Sequence, residues 1–209
     1  ALIISIPLGI LAAVKHNSIW DNISTFLATI GVSLPKFWFG LILIIVFALK
    51  LGWLPSTGIG RLSDGLGVFL KHIILPASSL ALGMAATQTR MIRSSMLEVL
   101  NQDYVRFARS KGLIENKVVL GHAFKNAMIP VITVIGNEIG NLLGGSVVTE
   151  SIFSWPGVGR LAVTSISRRD YPTIQGVVLM LCVTYLVINL IVDLLYAAID
   201  PRLSLNRKQ

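Results

Sequence analysis

Long apolar runs limit what this chain can fold into more than any other feature of its sequence. A helix needs ~20 apolar residues to cross a bilayer, and lipid offers no hydrogen-bond partner for an exposed backbone group. The chain is 13% charged, against the ~25% usual in soluble domains. The sequence predicts an all-α membrane protein with a single transmembrane domain over residues 1–209. About five spans are expected, at residues 1–14, 23–51, 73–91, 128–149 and 173–199.

Two of these runs differ in length from a regular span. The chain opens on Ala1 rather than Met, and its first apolar run is too short to cross a bilayer. We therefore expect residues 1–14 to be the remainder of a truncated helix. The second run is longer than a span, and Pro35 inside it can break the helical hydrogen-bond ladder.

Lysine and arginine residues orient the spans, because they collect in cytoplasmic loops. One set of connections contains the larger group: Lys15, Arg90, Arg93, Arg106, Arg109, Lys111, Lys117, Lys125, Arg202, Arg207 and Lys208. The opposite set contains the smaller group: Lys50, Arg61, Lys71, Arg160, Arg168 and Arg169. This bias predicts a cytoplasmic C-terminus, and it accounts for the net charge of +8 without nucleic acid as a partner. Arg90 and Arg93 are expected to snorkel at the cytoplasmic boundary.

A polar, basic loop at residues 101–126 separates the third and fourth spans. Its apolar positions are spaced for one helical face: Leu97, Leu100, Tyr104, Phe107 and Ala108. Arg106 and Arg109 fall largely on other faces, and Gly112 suits the end of a helix. A second helical stretch, residues 115–127, leads to Pro130. The pattern leaves two interpretations open, a compact cytoplasmic projection or a segment lying on lipid headgroups.

Polar residues inside the fourth span are the candidates for a solute pathway. They are Asn137, Glu138 and Asn141, and the spacing of Glu138 and Asn141 places these two on one helical face. Charges at membrane depth usually face a bundle interior or a cavity. These residues either line a path and meet a cation or amine, or they form hydrogen bonds between packed helices.

The last outer loop contains a turn rich in glycine and proline. Trp155, Pro156, Gly157, Gly159 and Arg160 lie within six consecutive residues, which must turn tightly. We expect this loop to act as an outer gate or re-entrant segment. The alternative is that Trp155 and the later Tyr171 only anchor the loop at the membrane interface.

The sequence contains no motif for catalysis or for nucleotide or metal binding. It has no G-x-x-x-x-G-K-[ST] loop, no H-E-x-x-H motif and no cysteine pair, and His16, His72 and His122 are scattered. The single Cys182 lies in an apolar run and is expected to be a small core residue. We expect no catalytic residue, no metal site and no cofactor bound by this chain.

Several motifs, taken in order, resemble those of binding-protein-dependent ABC importer permeases of the dipeptide, oligopeptide and nickel branch. The resemblance rests on stretches spread over nearly the whole chain: Leu51-Gly-Trp-Leu-Pro55, Tyr104-Val-Arg-Phe-Ala-Arg-Ser-Lys-Gly112 with His122, Asn126 and Pro130, Trp155-Pro-Gly-Val-Gly-Arg160, Arg169-Asp-Tyr-Pro172, Asp193-Leu-Leu-Tyr196 and Asp200-Pro-Arg202. Arg106 stands where the general family motif has Glu, whereas Ala108 and Gly112 match that motif.

The resemblance implies a type I ABC importer permease, with six spans in a full-length member. It implies that residues 101–126 form a coupling-helix loop that docks on an ATPase subunit. The residues it assigns to this role are Tyr104, Arg106, Phe107, Ala108, Arg109, Lys111, Gly112, His122 and Asn126. This coupling loop would transmit the movements that ATP binding causes in the partner subunits.

The resemblance also implies partners and a location. The expected partners are a second permease subunit, forming a heterodimer, two ATPase subunits that bind ATP and Mg, an extracytoplasmic solute-binding protein, and membrane lipid. The expected location is the bacterial or archaeal cytoplasmic membrane, and the solute is a peptide or a related small solute such as nickel. A secondary transporter or channel is the alternative, but it predicts an internal repeat that the sequence does not show. An intramembrane enzyme would need a paired acid–base or metal constellation.

Overall fold

The computed structural model describes residues 1–61, 63 and 65–199. Across these residues the regular structure is helical, without a strand. The α-helices are α1 Leu2–Val14, α2 Ile19–Ser33, α3 Lys36–Leu43, α4 Leu66–Leu100, α5 Asp103–Ser110, α6 Glu115–Lys117, α7 Phe124–Gly145, α8 Val147–Ile152, α9 Val158–Arg168 and α10 Tyr171–Ile199. A π-helical stretch, Ile44–Lys50, continues α3, and a second, Val118–Ala123, joins α6 to α7.

Three helical stretches of the described chain are long and apolar enough to cross a membrane: Leu66–Leu100, Glu115–Leu142 and Tyr171–Val192. The broken pair Ile19–Ser33 and Lys36–Lys50 passes the same criterion when counted as one span, and Leu2–Val14 is a shorter apolar helix. The prediction of an all-α membrane protein is confirmed. The five-span boundaries remain a prediction.

Proline affects two of the long apolar segments differently. The predicted break at Pro35 is present, because α2 ends at Ser33 and α3 begins at Lys36. The third predicted span, residues 73–91, lies within the longer helix α4, which begins at Leu66 and contains Pro76. A helix tolerates an internal proline at membrane depth where side chains satisfy the freed backbone groups. Pro76 leaves the His72 carbonyl without its helical N–H donor, and the Ser79 hydroxyl donates to a different group, the Pro76 carbonyl, at 2.8 Å.

The described chain divides into two compact units, and the first contains residues 1–32, 84–138 and the described residues from 189 onward. Its core is an apolar cluster from three elements: Ala13, Ile92, Met96, Val119, Ala123, Ala127 and Val131. The last four are spaced by four residues and therefore form one helical stripe. Gly9 lets α1 approach α4 closely, since a Cβ there would lie 2.7 Å from the Ile92 side chain. Small residues allow this close packing in membrane helices.

The second unit contains residues 33–83 and 139–188. Its core forms around Leu43, Leu75 and Phe153. Gly40 faces the Phe153 ring, from which a Cβ would lie 3.2 Å. Within this unit α8 and α9 follow one another through the glycine-rich turn that the sequence singles out.

Some residues that the sequence analysis named lie outside the described residues. These are Asp200-Pro-Arg202 with Arg207 and Lys208, and the side chains of Asp193 and Tyr196. The predicted cytoplasmic C-terminus therefore remains a prediction.

Candidate functional sites

The predicted apolar face of helix α5 in the coupling loop contains both buried and exposed residues. Val105 and Ala108 are buried, and they pack with Val118 in a small apolar cluster. Tyr104 and Phe107 instead are 43% and 60% exposed. Ala108 belongs to the predicted face, but this face is not continuous with Leu97 and Leu100, because α4 ends at Leu100 and a turn precedes α5. The helical register of Leu97 and Leu100 therefore does not continue into α5.

Gly112 ends this helical segment as predicted. Lys111 caps α5, and Gly112 follows with φ +75°, a left-handed conformation that glycine adopts without a steric penalty. The chain then enters α6 at Glu115. Arg109 spans the turn, since its Nη2 donates to Glu115 Oε1 at 2.7 Å and its Nε donates to Oε2 at 3.1 Å. These hydrogen bonds raise the pKa of the Arg109 guanidinium.

Tyr104 and Asn126 are brought together although 22 residues separate them. The Asn126 amide donates to Tyr104 Oη at 2.8 Å and also to the His122 carbonyl at 3.1 Å. His122 itself is exposed. A side-chain hydrogen bond thus ties the start of α5 to the start of α7, in addition to the apolar cluster.

The outer surface of α5 combines aromatic and cationic groups. Phe107 and Arg106 are exposed, and Lys111 Nζ lies 4.7 Å from the centre of the Phe107 ring. Buried residues fix the helix from behind, so this surface is presented in one orientation. Exposed aromatic and Arg side chains are the residue types that anchor protein interfaces.

The predicted pathway residues have different environments. Asn137 and Asn141 are exposed, and Glu138 is half-buried. Gln88, which is 1% exposed, donates from Nε2 to Glu138 Oε2, and the Ser5 hydroxyl donates to Gln88 Oε1 at 3.0 Å. A polar chain therefore joins α1, α4 and α7 inside the first unit. In the described part of the chain, no three His, Cys, Asp or Glu residues group to hold a metal ion.

The outer turn is organised by Glu150, a residue that the sequence analysis did not single out. Its carboxylate accepts from the Arg160 backbone N–H at 2.7 Å and from the Ser146 hydroxyl at 2.6 Å. A carboxylate suits the N-terminus of a helix such as α9, where backbone N–H groups lack helical partners. A Cβ at Gly157 would overlap this carboxylate, and one at Gly159 would lie 2.6 Å from a Val147 methyl.

The predicted motif Arg169-Asp-Tyr-Pro172 forms the corner between α9 and α10. Arg169 has φ +56° and ends α9. Asp170 caps α10, since its carboxylate accepts from the Thr173 hydroxyl at 2.6 Å and from the Thr173 N–H at 3.2 Å. These hydrogen bonds lower the pKa of Asp170, the one from the hydroxyl most. The motif therefore has a structural explanation.

A buried ion pair was also absent from the sequence analysis. The Asp21 side chain is 3% exposed, and Arg93 binds it with both Nε and Nη2, the latter at 2.8 Å from Oδ2. The Asn17 N–H donates to Asp21 Oδ2 at 3.0 Å, and His16 Nδ1 lies 3.1 Å from the same oxygen. The sequence predicts that the Arg93 side chain snorkels at the membrane boundary. In the structure it instead forms an ion pair with Asp21 inside the first unit. No local spacing signals a pair 72 residues apart.

The long apolar helices of the described chain define a multi-span membrane protein. The family model for the inner membrane component of binding-protein-dependent transport systems matches residues 5–205. The chain belongs to this family.

The names of similar curated proteins refer to the transport of peptides. The oligopeptide transport system permease protein AppB of Bacillus subtilis is 49% identical over 206 residues, which cover 98% of this chain and 65% of the relative. The dipeptide transport system permease protein DppB of Alkalihalophilus pseudofirmus is 46% identical, covering 98% and 67%. The glutathione transport system permease protein GsiC of Escherichia coli K12 is 47% identical, covering 96% and 63%. The chain thus spans 63–67% of the length of these relatives.

A solved structure has the same fold. The methionine ABC transporter MetNI, in an inward facing conformation, matches with a TM-score of 0.73 over 95% of this chain and 87% of the matched chain, at 17% identity. The predicted fold class, a type I ABC importer permease, is confirmed.

Proposed function

We propose that the protein is a pathway-forming permease subunit of an ATP-driven ABC importer, and that α5 couples it to an ATPase subunit. The observation that carries this proposal is the construction of α5. Val105 and Ala108 are buried and hold the helix, while Phe107, Arg106 and Tyr104 remain exposed. Phe107 lies in the middle of α5 and is 60% exposed, and the isolated chain gains no packing from this exposure. A partner groove would cover the aromatic ring.

The coupling loop as a whole fits this role. Tyr104 and Asn126 fix one end of α5, while Gly112 and the Arg109–Glu115 pair fix the other. Arg106 and Lys111 give the surface a positive charge, which favours an acidic groove in the partner, whereas Arg109 is paired with Glu115. Ala108 holds α5 in place by packing in the apolar cluster, and Gly112 allows the turn after α5 by its left-handed conformation. His122 is exposed and belongs to the same surface.

The partners follow from this assignment. ATP and Mg bind the two ATPase subunits, and a second permease subunit completes the pathway as a heterodimer. An extracytoplasmic binding protein delivers the solute to the outer side. The protein lies in the bacterial or archaeal cytoplasmic membrane, with the coupling loop and the C-terminus in the cytoplasm. The alternative of an uncoupled secondary transporter leaves the exposed α5 without a role.

We infer that the solute is a peptide or a related small solute. The names of the relatives, which refer to oligopeptide, dipeptide and glutathione transport, support this class. Nickel is included only because the family that the sequence resembles contains nickel importers.

In the outer loop, Trp155, Pro156, Gly157, Gly159 and Arg160 form the proposed gate. Glu138 has a packing role, which its hydrogen bond from Gln88 supports, whereas the exposed Asn137 and Asn141 remain pathway candidates.

The test uses the full-length protein co-expressed with its ATPase and permease partners. We expect Phe107→Ala combined with Arg106→Glu to lower ATPase co-purification and ATP-driven peptide uptake at least tenfold, with membrane insertion unchanged. Loss of an interface anchor and a charge reversal typically have effects of this size. Ile166→Ala is the matched control, because Ile166 is 59% exposed on α9, outside the coupling loop. Normal uptake by the α5 variant would contradict the proposal.

A further inference from the structure

A cavity of about 650 Å³ lies within the first unit. This volume is within the range of ~300–1,000 Å³ found for ligand sites. Its lining includes Thr25 of α2, Val134 of α7, and Arg90, Met91, Arg93 and Ser94 of α4. Arg90 and Ser94 are four residues apart and therefore share one helical face. We call it the Arg90 cavity.

Among the described residues that line the Arg90 cavity, Arg90 is a cation without an ion-pair partner. Asp21 neutralises Arg93 through two hydrogen bonds. Arg90 is exposed to the cavity opening, and no carboxylate of the described residues forms an ion pair with it. A concave surface with apolar walls strengthens the field of such a charge. The cavity therefore favours an anionic ligand.

We propose that the Arg90 cavity is a carboxylate site for the transported solute, an inference that rests on the proposed import function. A guanidinium binds a carboxylate with two parallel hydrogen bonds, and the Ser94 hydroxyl can donate a third. Met91 and Val134 offer apolar contact to a small side chain beside the carboxylate. A short peptide combines these features at its C-terminus.

The hydroxyl groups in the lining favour a peptide over a lipid. Thr25 and Ser94 come from two different helices; the Thr25 hydroxyl donates to Asp21 Oδ1 at 3.4 Å and can still accept from a peptide N–H, and the Ser94 hydroxyl can donate or accept. The acyl chains of a phospholipid need no polar partner. An anionic headgroup is nevertheless attracted by basic residues at the cytoplasmic boundary, so the experiment includes it as an outcome.

The first measurement is the reactivity of a thiol placed in the cavity. Ser94→Cys is made in a Cys182→Ser background of the full-length transporter, held with its partners in phosphatidylcholine nanodiscs. The rates of modification by an anionic and a cationic methanethiosulfonate are compared. We expect Arg90→Gln to lower the ratio of anionic to cationic rate about tenfold and Arg90→Lys to preserve most of it, while Lys15→Gln, a control that also removes one positive charge, leaves it unchanged. An unchanged ratio in Arg90→Gln, or a thiol that does not react, overturns the proposal.

The second measurement identifies the ligand. Trialanine with a free carboxylate should slow modification of the introduced thiol, and trialanine amide should not. Arg90→Gln should abolish this difference. Equal protection by both peptides, or by neither, overturns the carboxylate site. Protection by phosphatidylglycerol in the nanodisc, without protection by trialanine, overturns it in favour of a lipid headgroup.

These results are separable from the test of the proposed function. A transporter that imports peptide and responds to the α5 variant, but shows the same thiol rate ratio without Arg90, retains its function and lacks the carboxylate site. A charge-dependent thiol in a protein that binds no ATPase would instead identify an anion site without import.

Discussion

At the scale of single residues, the turn at residues 155–160 depends on both a carboxylate and a glycine that leaves room for it. Glu150 occupies the space that a Cβ at Gly157 would need, and its carboxylate accepts hydrogen bonds from Arg160 N and Ser146 Oγ. The glycine is therefore required by the close approach of a carboxylate, since its φ of −103° is open to any residue.

We predict that Gly157→Ala lowers the free energy of unfolding by about 2 kcal/mol, because the displaced carboxylate loses its charge-assisted hydrogen bonds. In a Glu150→Ala background the same change should cost almost nothing, since the space is then vacant. Gly67→Ala is the control, because a Cβ there meets no atom within 4 Å and alanine favours a helix. Denaturant unfolding of the purified protein in detergent measures all four variants, and additive costs would refute the argument.

The sequence was sufficient for residues whose role is local. Gly112 was predicted to end a helix, and its φ of +75° confirms this. Glu150 and Asp21 were missed, and Arg93 was expected to snorkel, because the contacts Asp21–Arg93 and Glu150–Arg160 join different elements and no local spacing marks them. The predicted helical face does not run from α4 into α5, because a two-residue turn after Leu100 changes the phase of the helix; Ala108 of that face is buried, whereas Tyr104 and Phe107 are exposed. A periodicity argument assumes an unbroken helix, and the tertiary contact to Val118 decides the face instead.

At the scale of elements, the coupling loop is a helix held at both ends. The Arg109–Glu115 pair crosses the Gly112 turn and is 41% and 52% exposed on its two sides. Exposed pairs contribute only ~0–1 kcal/mol to stability. Its contribution is therefore the orientation of α5 relative to α6, and the fold does not depend on it.

We predict that Arg109→Glu and Glu115→Arg each reduce solute-stimulated ATPase activity of the full-length transporter several-fold, because like charges then face each other across the turn. The double exchange, Arg109→Glu with Glu115→Arg, should restore most of the activity. Circular dichroism and expression level should be unchanged in all three variants. If the double exchange is as impaired as Arg109→Glu alone, Arg109 contacts the ATPase directly and the positional role is wrong.

Proline illustrates what sequence reasoning can predict about elements. Pro35 separates α2 from α3 as expected, whereas Pro76 lies within α4. Proline removes one hydrogen bond in either case. One proline nevertheless lies between two helices and the other inside a helix, and the local sequence does not show which of these will occur.

At the scale of the whole molecule, exposed apolar surface indicates the surroundings of the protein. On α10 the exposed residues include Leu179, Leu186 and Leu190, each more than half accessible. A soluble protein rarely leaves so continuous an apolar patch in water. The helix is 29 residues long, about 43 Å at ~1.5 Å per residue, which exceeds the ~30 Å hydrocarbon core. Lipid is the environment that this surface requires.

The orientation of the chain in the membrane provides the last prediction. The excess of Lys and Arg in the connections around α5 predicts that this helix is cytoplasmic and that α9 is on the outer side. Single thiols at Ser110→Cys and Ser167→Cys, in a Cys182→Ser background, test it, because both serines are exposed. An impermeant maleimide should label the Ser167→Cys protein in intact cells and the Ser110→Cys protein only in inside-out vesicles. The reverse pattern would place α5 outside, where no ATPase could reach it, and would remove the basis for coupling.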